Sequence, residues 1–155
     1  MRTREMAMYR ERMQQVVRVL HNVKEKGHLF SLRYWGSKNP EVIAELITVG
    51  DIPEGSCGSV SCAIGHVGLD PWFNRRGFRT EMYNVYDSEP VYRERQGYEY
   101  SSWNAVHEFF NVSAEEADRL FIDGYYEEGH NTIDDVIARV NEYISTTYGA
   151  EYVVA

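Results

Sequence analysis

The residue types best suited to chemistry crowd into one short stretch, Ser56-Cys57-Gly58-Ser59-Val60-Ser61-Cys62-Ala63-Ile64-Gly65-His66. It holds both cysteines of the chain together with a histidine and several small residues. Thiolate and imidazole are the donors zinc prefers, so Cys57, Cys62 and His66 form a candidate metal set. Cys62 and His66 are one helical turn apart, but Cys57 lies five positions earlier with no CxxC knuckle to bend it back. A fourth ligand would have to come from His28, His107 or His130. The favoured reading is a packing joint: Gly58, Ser59, Ser61, Ala63 and Gly65 let a helix lie close against its neighbours, with Cys62 buried as a small hydrophobe. On that reading the protein needs no metal and no cofactor.

A second chemistry makes Cys57 a nucleophile at a helix mouth, where free N–H groups and the helix dipole favour a thiolate. His130 is then the best base and Asp134 or Asp135 its orienter. Cys57-Gly58-Ser59 resembles the nucleophile region of papain-type cysteine peptidases. The likeness covers those few residues, and the histidines here fall in a helical pattern or before a helix cap. No glycine-rich phosphate loop, HExxH pair, GxSxG elbow or calcium loop is present. Glu127, Glu128, Asp134 and Asp135 read as a dipole match and a solvated face.

The third candidate is a surface. Tyr83, Tyr86, Tyr92, Tyr98, Tyr100 and Trp103 crowd one region with Arg93 and Arg95 among them, and tyrosine with arginine is the composition of binding hot spots. Tyr125-Tyr126-Glu127-Glu128 is a second patch that would continue it.

These residues must be positioned by helices. Met6, Tyr9, Met13, Val16, Val17, Leu20 and Val23 have helical spacing, with Gly27 as the stop. Arg2, Arg4, Arg10, Arg12 and Arg18 interleave with Glu5 and Glu11 on its expected solvated face. His28 to Gly36 follows as an aromatic connection that plugs the core, and Asn39-Pro40-Glu41 opens a short helix closed at Gly50. A third helix is expected from Ser59 to Leu69, ended by Asp70-Pro71. Residues 77–100 read as a small hairpin or ordered loop turning at Asp87-Ser88-Glu89-Pro90. Helices return at Ser101, at Ser113 with Glu116 in a capping box, and at Thr132, whose helix carries Ile133, Val136, Ile137, Val140 and Ile144. The expectation is a mainly α fold of five to six helices with a small β insert, or α+β as the fallback, in one domain spanning 1–155.

Composition narrows the function. A chain of 155 residues with a net charge of −8 is one acidic domain that repels nucleic-acid backbones. No stretch approaches the roughly 20 apolar residues needed to cross a membrane, and the N-terminus lacks a signal-peptide core, so a cytoplasmic protein with reduced thiols is expected. The block from Cys57 also resembles the CGT-x-x-C-x-x-G element, usually followed by Trp, of a group of short unannotated bacterial and phage proteins. In that group a segment like Phe109-Phe110-Asn111-Val112-Ser113, then Glu116-Ala117 and Leu120-Phe121, comes later, and a helix like Asp134 to Ile144 closes the order. This chain departs with Ser59 for Thr, His66 for Trp and a longer tyrosine-rich insert. The resemblance implies a shared fold and a phage or bacterial origin, with no activity attached. The function expected is that of a non-enzymatic accessory or regulatory protein binding a protein partner, such as a host factor or a second copy; a thiol-dependent hydrolase using Cys57 is the alternative.

Overall fold

Helix α1 (Thr3–Lys26) is the longest element of the computed structural model, which describes residues 3–155. Arg2 of the basic group lies outside the described residues. The apolar stripe of α1 buries Met13, Val16, Val17, Leu20 and Val23. It packs against the last helix, α7 (Ile133–Thr147), which returns Val136, Ile137, Val140 and Ile144. Two further helices begin where the sequence signals them. Asn39 caps α2 (Pro40–Thr48) by accepting from the Glu41 N–H at 3.0 Å, and Ser113 with Glu116 closes a capping box on α6 (Ala114–Phe121). Thr132 and Asp135 do the same for α7.

The region from 56 to 101 departs from expectation. Val60 is not helical: β1 (Gly36–Ser37) and β2 (Val60–Ser61) pair antiparallel, and the third helix shortens to α3 (Ala63–Val67) with Cys62 as its cap. Asp70-Pro71 starts a helix where it was expected to end one. The Asp70 carboxylate accepts from the Trp72 N–H at 3.1 Å, opening α4 (Pro71–Asn74). The insert is a three-stranded antiparallel sheet of β3 (Phe78–Met82), β4 (Ser88–Arg93) and β5 (Glu99–Ser101), in the order β3-β4-β5. Its first turn spans 83–87, so Ser88-Glu89-Pro90 is strand and not the expected turn. Pro90 is tolerated in the middle strand because of the alternation of N–H directions. The Arg93 N–H points to the β3 side, donating to Gly77 O, which turns the Pro90 nitrogen toward β5, and β5 stops opposite Val91. Helix α5 (Ser102–Phe110) then crosses this sheet. Among the described residues seven α-helices and two small sheets make the fold α+β and 52% helical, with one more helix and more strand than expected.

Helix α3 joins these parts through close backbone contact. A Cβ on Gly65 would fall 1.6 Å from the Trp35 carbonyl oxygen, and one on Gly68 would fall 2.5 Å from the Thr80 nitrogen. Thr80 also hydrogen-bonds this helix twice, through N–H to Gly68 O at 2.9 Å and through Oγ1 to Gly65 O at 2.8 Å. The packing joint therefore exists, but its partners are an extended connection and a strand. Gly58, counted among the joint residues, meets nothing within 4 Å.

The main core is an aromatic cluster under the sheet. Phe78 of β3 lies 4.8 Å from Phe109, which is edge-on to Phe110 at 5.0 Å and to Tyr92 at 5.1 Å. A smaller cluster of Ile43, Leu46, Ile52 and Val60 sits beneath α2. Arg12 overturns the expectation of a solvated face. It is only 8% exposed, its Nη1 donates to Phe109 O at 2.6 Å, and its guanidinium covers the Phe109 ring at 4.0 Å. That carbonyl belongs to the last turn of α5, where oxygens lack helical partners and the dipole favours a cation. Burial lowers the Arg12 pKa from its ordinary value.

Replacing Gly65 with Ala forces the Trp35 backbone to move. Gly65→Ala should cost about 1–3 kcal/mol or more in urea unfolding, whereas Gly58→Ala should disturb no packing, its cost arising from the positive φ of 91° alone.

Candidate functional site

The cysteine block resolves into separate roles. Cys62 is buried at the start of α3, where its Sγ accepts from the Gly65 N–H at 3.5 Å, and burial pushes its thiol up to about 11. Cys57 is exposed in the turn before β2, five residues short of the helix cap, so it does not stand at a helix mouth as expected. His66 brings its Nε2 to 2.8 Å from Leu29 O and stacks between His28 and Phe30 at centroid distances of 6.3 and 6.4 Å. Burial, and then the neighbouring His28, lower its pKa, so the neutral ring donates to Leu29 and holds the connection after α1. Among the described residues no group of three or more His, Cys, Asp or Glu side chains is placed to hold a metal ion. The fold does not bring Cys57, Cys62 and His66 into such a group.

The hydrolase set is dispersed in the same way. Asp134 is held by Lys24 Nζ at 2.8 Å, Asp135 closes the α7 capping box, and His130 is exposed in the preceding loop. Among the described residues no hydrogen bond joins Cys57 to His130 or to either aspartate.

The tyrosines of the insert divide by strand face. Tyr92 and Tyr100 stack across β4 and β5 at 6.1 Å on the face toward α5, and both are half-buried. They complete the core and are not the open contact residues expected. Arg93 lies on the opposite face, paired with Glu81 of β3 and with Glu99 of β5 at 2.8 Å, so its charge is already met; these carboxylates raise its pKa. Tyr98 and Arg95 are exposed near the β4–β5 turn. In the second patch Tyr126 is buried, donating its hydroxyl to Leu120 O at 2.6 Å, while Tyr125, Glu127 and Glu128 are exposed.

Tyr83 and Tyr86 stand differently. The β3–β4 turn exposes Met82, Tyr83, Val85 and Tyr86 together, Tyr83 at 60% and Val85 at 80%. Apolar residues this open on a folded chain are unusual when they adjoin one another. The turn is held firmly from inside. Asn84 Oδ1 accepts from the Tyr86 and Asp87 N–H groups at 2.8 Å each, the Tyr83 N–H donates to Asp87 O at 3.0 Å, and the Lys38 N–H donates to Tyr86 O at 2.8 Å.

Beside this turn runs a groove of about 440 Å³ lined by Tyr34, Trp35, Tyr83 and Trp103, together with Asp87, Asp123 and Cys62. The two tryptophans meet at 5.5 Å. Their placement follows from the α3 joint: the Cys62 N–H donates to Tyr34 O at 2.9 Å, Gly36 pairs with Ser61, and Trp35 O rests on Gly65. Tyr34 and Trp35 were expected as core filling, and both are only partly buried. Nothing in their local spacing announces a groove, because its other wall comes from residues 83, 87 and 103.

A larger open cleft of about 950 Å³ lies between the C-terminal ends of α1 and α2 and the loop before α7. Its polar groups satisfy one another. Asp51 accepts from Ser31 at 2.7 Å and Arg33 at 2.9 Å, while Asp123 accepts from Asn131 at 2.7 Å and lies 3.7 Å from Arg33. This network braces three loops. No protein-family model, curated protein or solved structure matches the chain.

Two outcomes follow for the block. A thiol reagent at neutral pH should modify one cysteine of the native protein, Cys57, and both after denaturation; two fast native thiols would contradict the burial of Cys62. Because the folded chain favours neutral His66, its contribution is complete above about 6.5, the ordinary imidazole value, and stability declines as pH falls below it, where the unfolded chain takes up the proton more readily. Urea midpoints between pH 7.5 and 5 should fall, and His66→Gln should flatten that decline.

Proposed function

We propose that this protein is a small accessory or regulatory protein that acts by binding another protein, without catalysis, through the Met82–Tyr86 turn. The observation that carries the reading is the combination of exposure and rigidity in that turn. Open tyrosine and valine side chains offer large contact area, and a backbone already held by Asn84 and Lys38 loses little freedom on association. The residues that complete the contact on this reading are Tyr83 and Tyr86 with Met82 and Val85; Tyr98 and Arg95 extend it at the next turn.

The acidic charge of −8 argues against a nucleic-acid partner, and no helix of the described residues is long and apolar enough to cross a membrane. A protein partner in the cytoplasm is the reading consistent with both. The resemblance of the Cys57 block to short bacterial and phage proteins makes a host protein the natural partner if the gene is phage-borne. The surroundings of Cys57 lend no support to a thiol hydrolase, since no base or orienting carboxylate is joined to it among the described residues.

The test compares captures. A tagged wild-type protein should recover a discrete partner from host lysate, and the triple variant Tyr83→Ser, Val85→Ser, Tyr86→Ser should lose it while keeping its unfolding midpoint. Leu69→Ser, a change at another exposed apolar site, should retain it. Equal recovery by the triple variant would remove the turn from the function. Tyr92→Ala should instead lower stability by about 1–3 kcal/mol, because its ring packs on Phe109.

A further inference from the structure

We propose that the groove of Tyr34, Trp35, Tyr83 and Trp103 receives a cationic side chain, a lysine or arginine, from the partner that the neighbouring turn contacts. This inference rests on the protein-binding reading above and specifies the chemistry of the partner. Four observations carry it. The walls are aromatic, and the faces of tryptophan and tyrosine attract a cation through their ring quadrupoles. The volume of about 440 Å³ suits a single long side chain with part of its backbone.

The charges around the groove point the same way. Asp87 and Asp123 line it, and the single basic residue of the lining, Arg33, is already bound to Asp51 and lies beside Asp123. Among the described residues Asp87 makes no ion pair; its carboxylate takes only a hydrogen bond from Asn84 Nδ2 at 3.2 Å. Glu45 adds negative charge behind the wall, accepting from the Tyr34 hydroxyl at 3.2 Å. An incoming cation therefore meets aromatic faces and an unpaired carboxylate, within a molecule of net charge −8. An anionic or phosphate-bearing ligand would meet like charge.

The groove is also continuous with the exposed turn. Tyr83 belongs to both: its backbone is fixed by Asp87 O, and the residue lines the groove. A partner segment lying on Met82, Val85 and Tyr86 is thus led directly to the groove, and a basic side chain entering it would fix the register of the contact.

Indole N–H signals in a two-dimensional NMR titration test this directly, since the three tryptophans include Trp72, which is outside the groove and serves as an internal control. The probes are acetyl-Gly-Leu-Lys-Leu-Gly-amide and the same peptide with norleucine or glutamate in place of lysine. The lysine peptide should shift the Trp35 and Trp103 signals and leave Trp72 in place. The norleucine and glutamate peptides should need at least about tenfold higher concentration, and Asp87→Asn should weaken the lysine peptide by about fivefold. Equal binding of norleucine would overturn the cationic assignment. Concentration-dependent shifts without peptide, with dimer in sedimentation, would overturn it in favour of a second copy. Unmoved indoles would end the groove proposal, while the turn remains the contact element if the triple variant still loses its partner; failure of both measurements would end both readings.

Discussion

The carbonyl of Trp35 rests directly on Gly65, and the arrangement of the molecule depends on that contact. With no Cβ at 65, the connection from α1 can lie against α3 at backbone distance, and Gly68 allows the edge of β3 to do the same on the other side. Helix α3 spans only Ala63–Val67, yet it touches the connection and the three-stranded sheet and packs against α1. Its small residues bring extended segments together as well as helices. The groove is a product of this geometry: Tyr34 and Trp35 face Trp103 and Tyr83 because the segment that carries them is drawn onto α3.

Charge is handled in a matching way. Three arginines serve internal ends: the buried Arg12 completes the last turn of α5, while at the surface Arg33 ties Asp51 to Asp123 and Arg93 links Glu81 with Glu99 across three strands. The exposed pairs add little stability individually, being screened by solvent. Their effect on the surface is larger. Each paired arginine removes positive charge from the outside, which leaves carboxylates such as Asp87 to define the potential beside the aromatic residues.

Elements with strong local signals were legible from the sequence. The stripe of α1, the Asn39-Pro40 start of α2 and the capping boxes at Ser113 and Thr132 all form where their residues announce them. Around the cysteine block the local rules pointed the wrong way. Ser59 looks a better cap than a sulfur atom does, yet Cys62 caps α3, because Val60 and Ser61 are taken by pairing with a segment more than twenty residues earlier. Two-residue strands carry no readable period. Asp87-Ser88-Glu89-Pro90 has the composition of a turn, but Asn84 organises the real one, leaving Pro90 at an edge-like place in β4. The groove was illegible for a simpler reason: its walls come from residues 34–35, 83, 87, 103 and 123, and only the folded chain brings them together.

Gly36 shows how far such constraints reach. A Cβ there would lie 2.2 Å from the Ser88 hydroxyl and 3.3 Å from that of Ser61, so three segments meet with no spare volume. Choice at these positions is thereby coupled: a larger residue at 36 is admissible only if the Ser88 hydroxyl turns aside and Ser61 yields by a few tenths of an ångström. The constraint is written in a scattered set of small residues, which a contiguous motif does not capture.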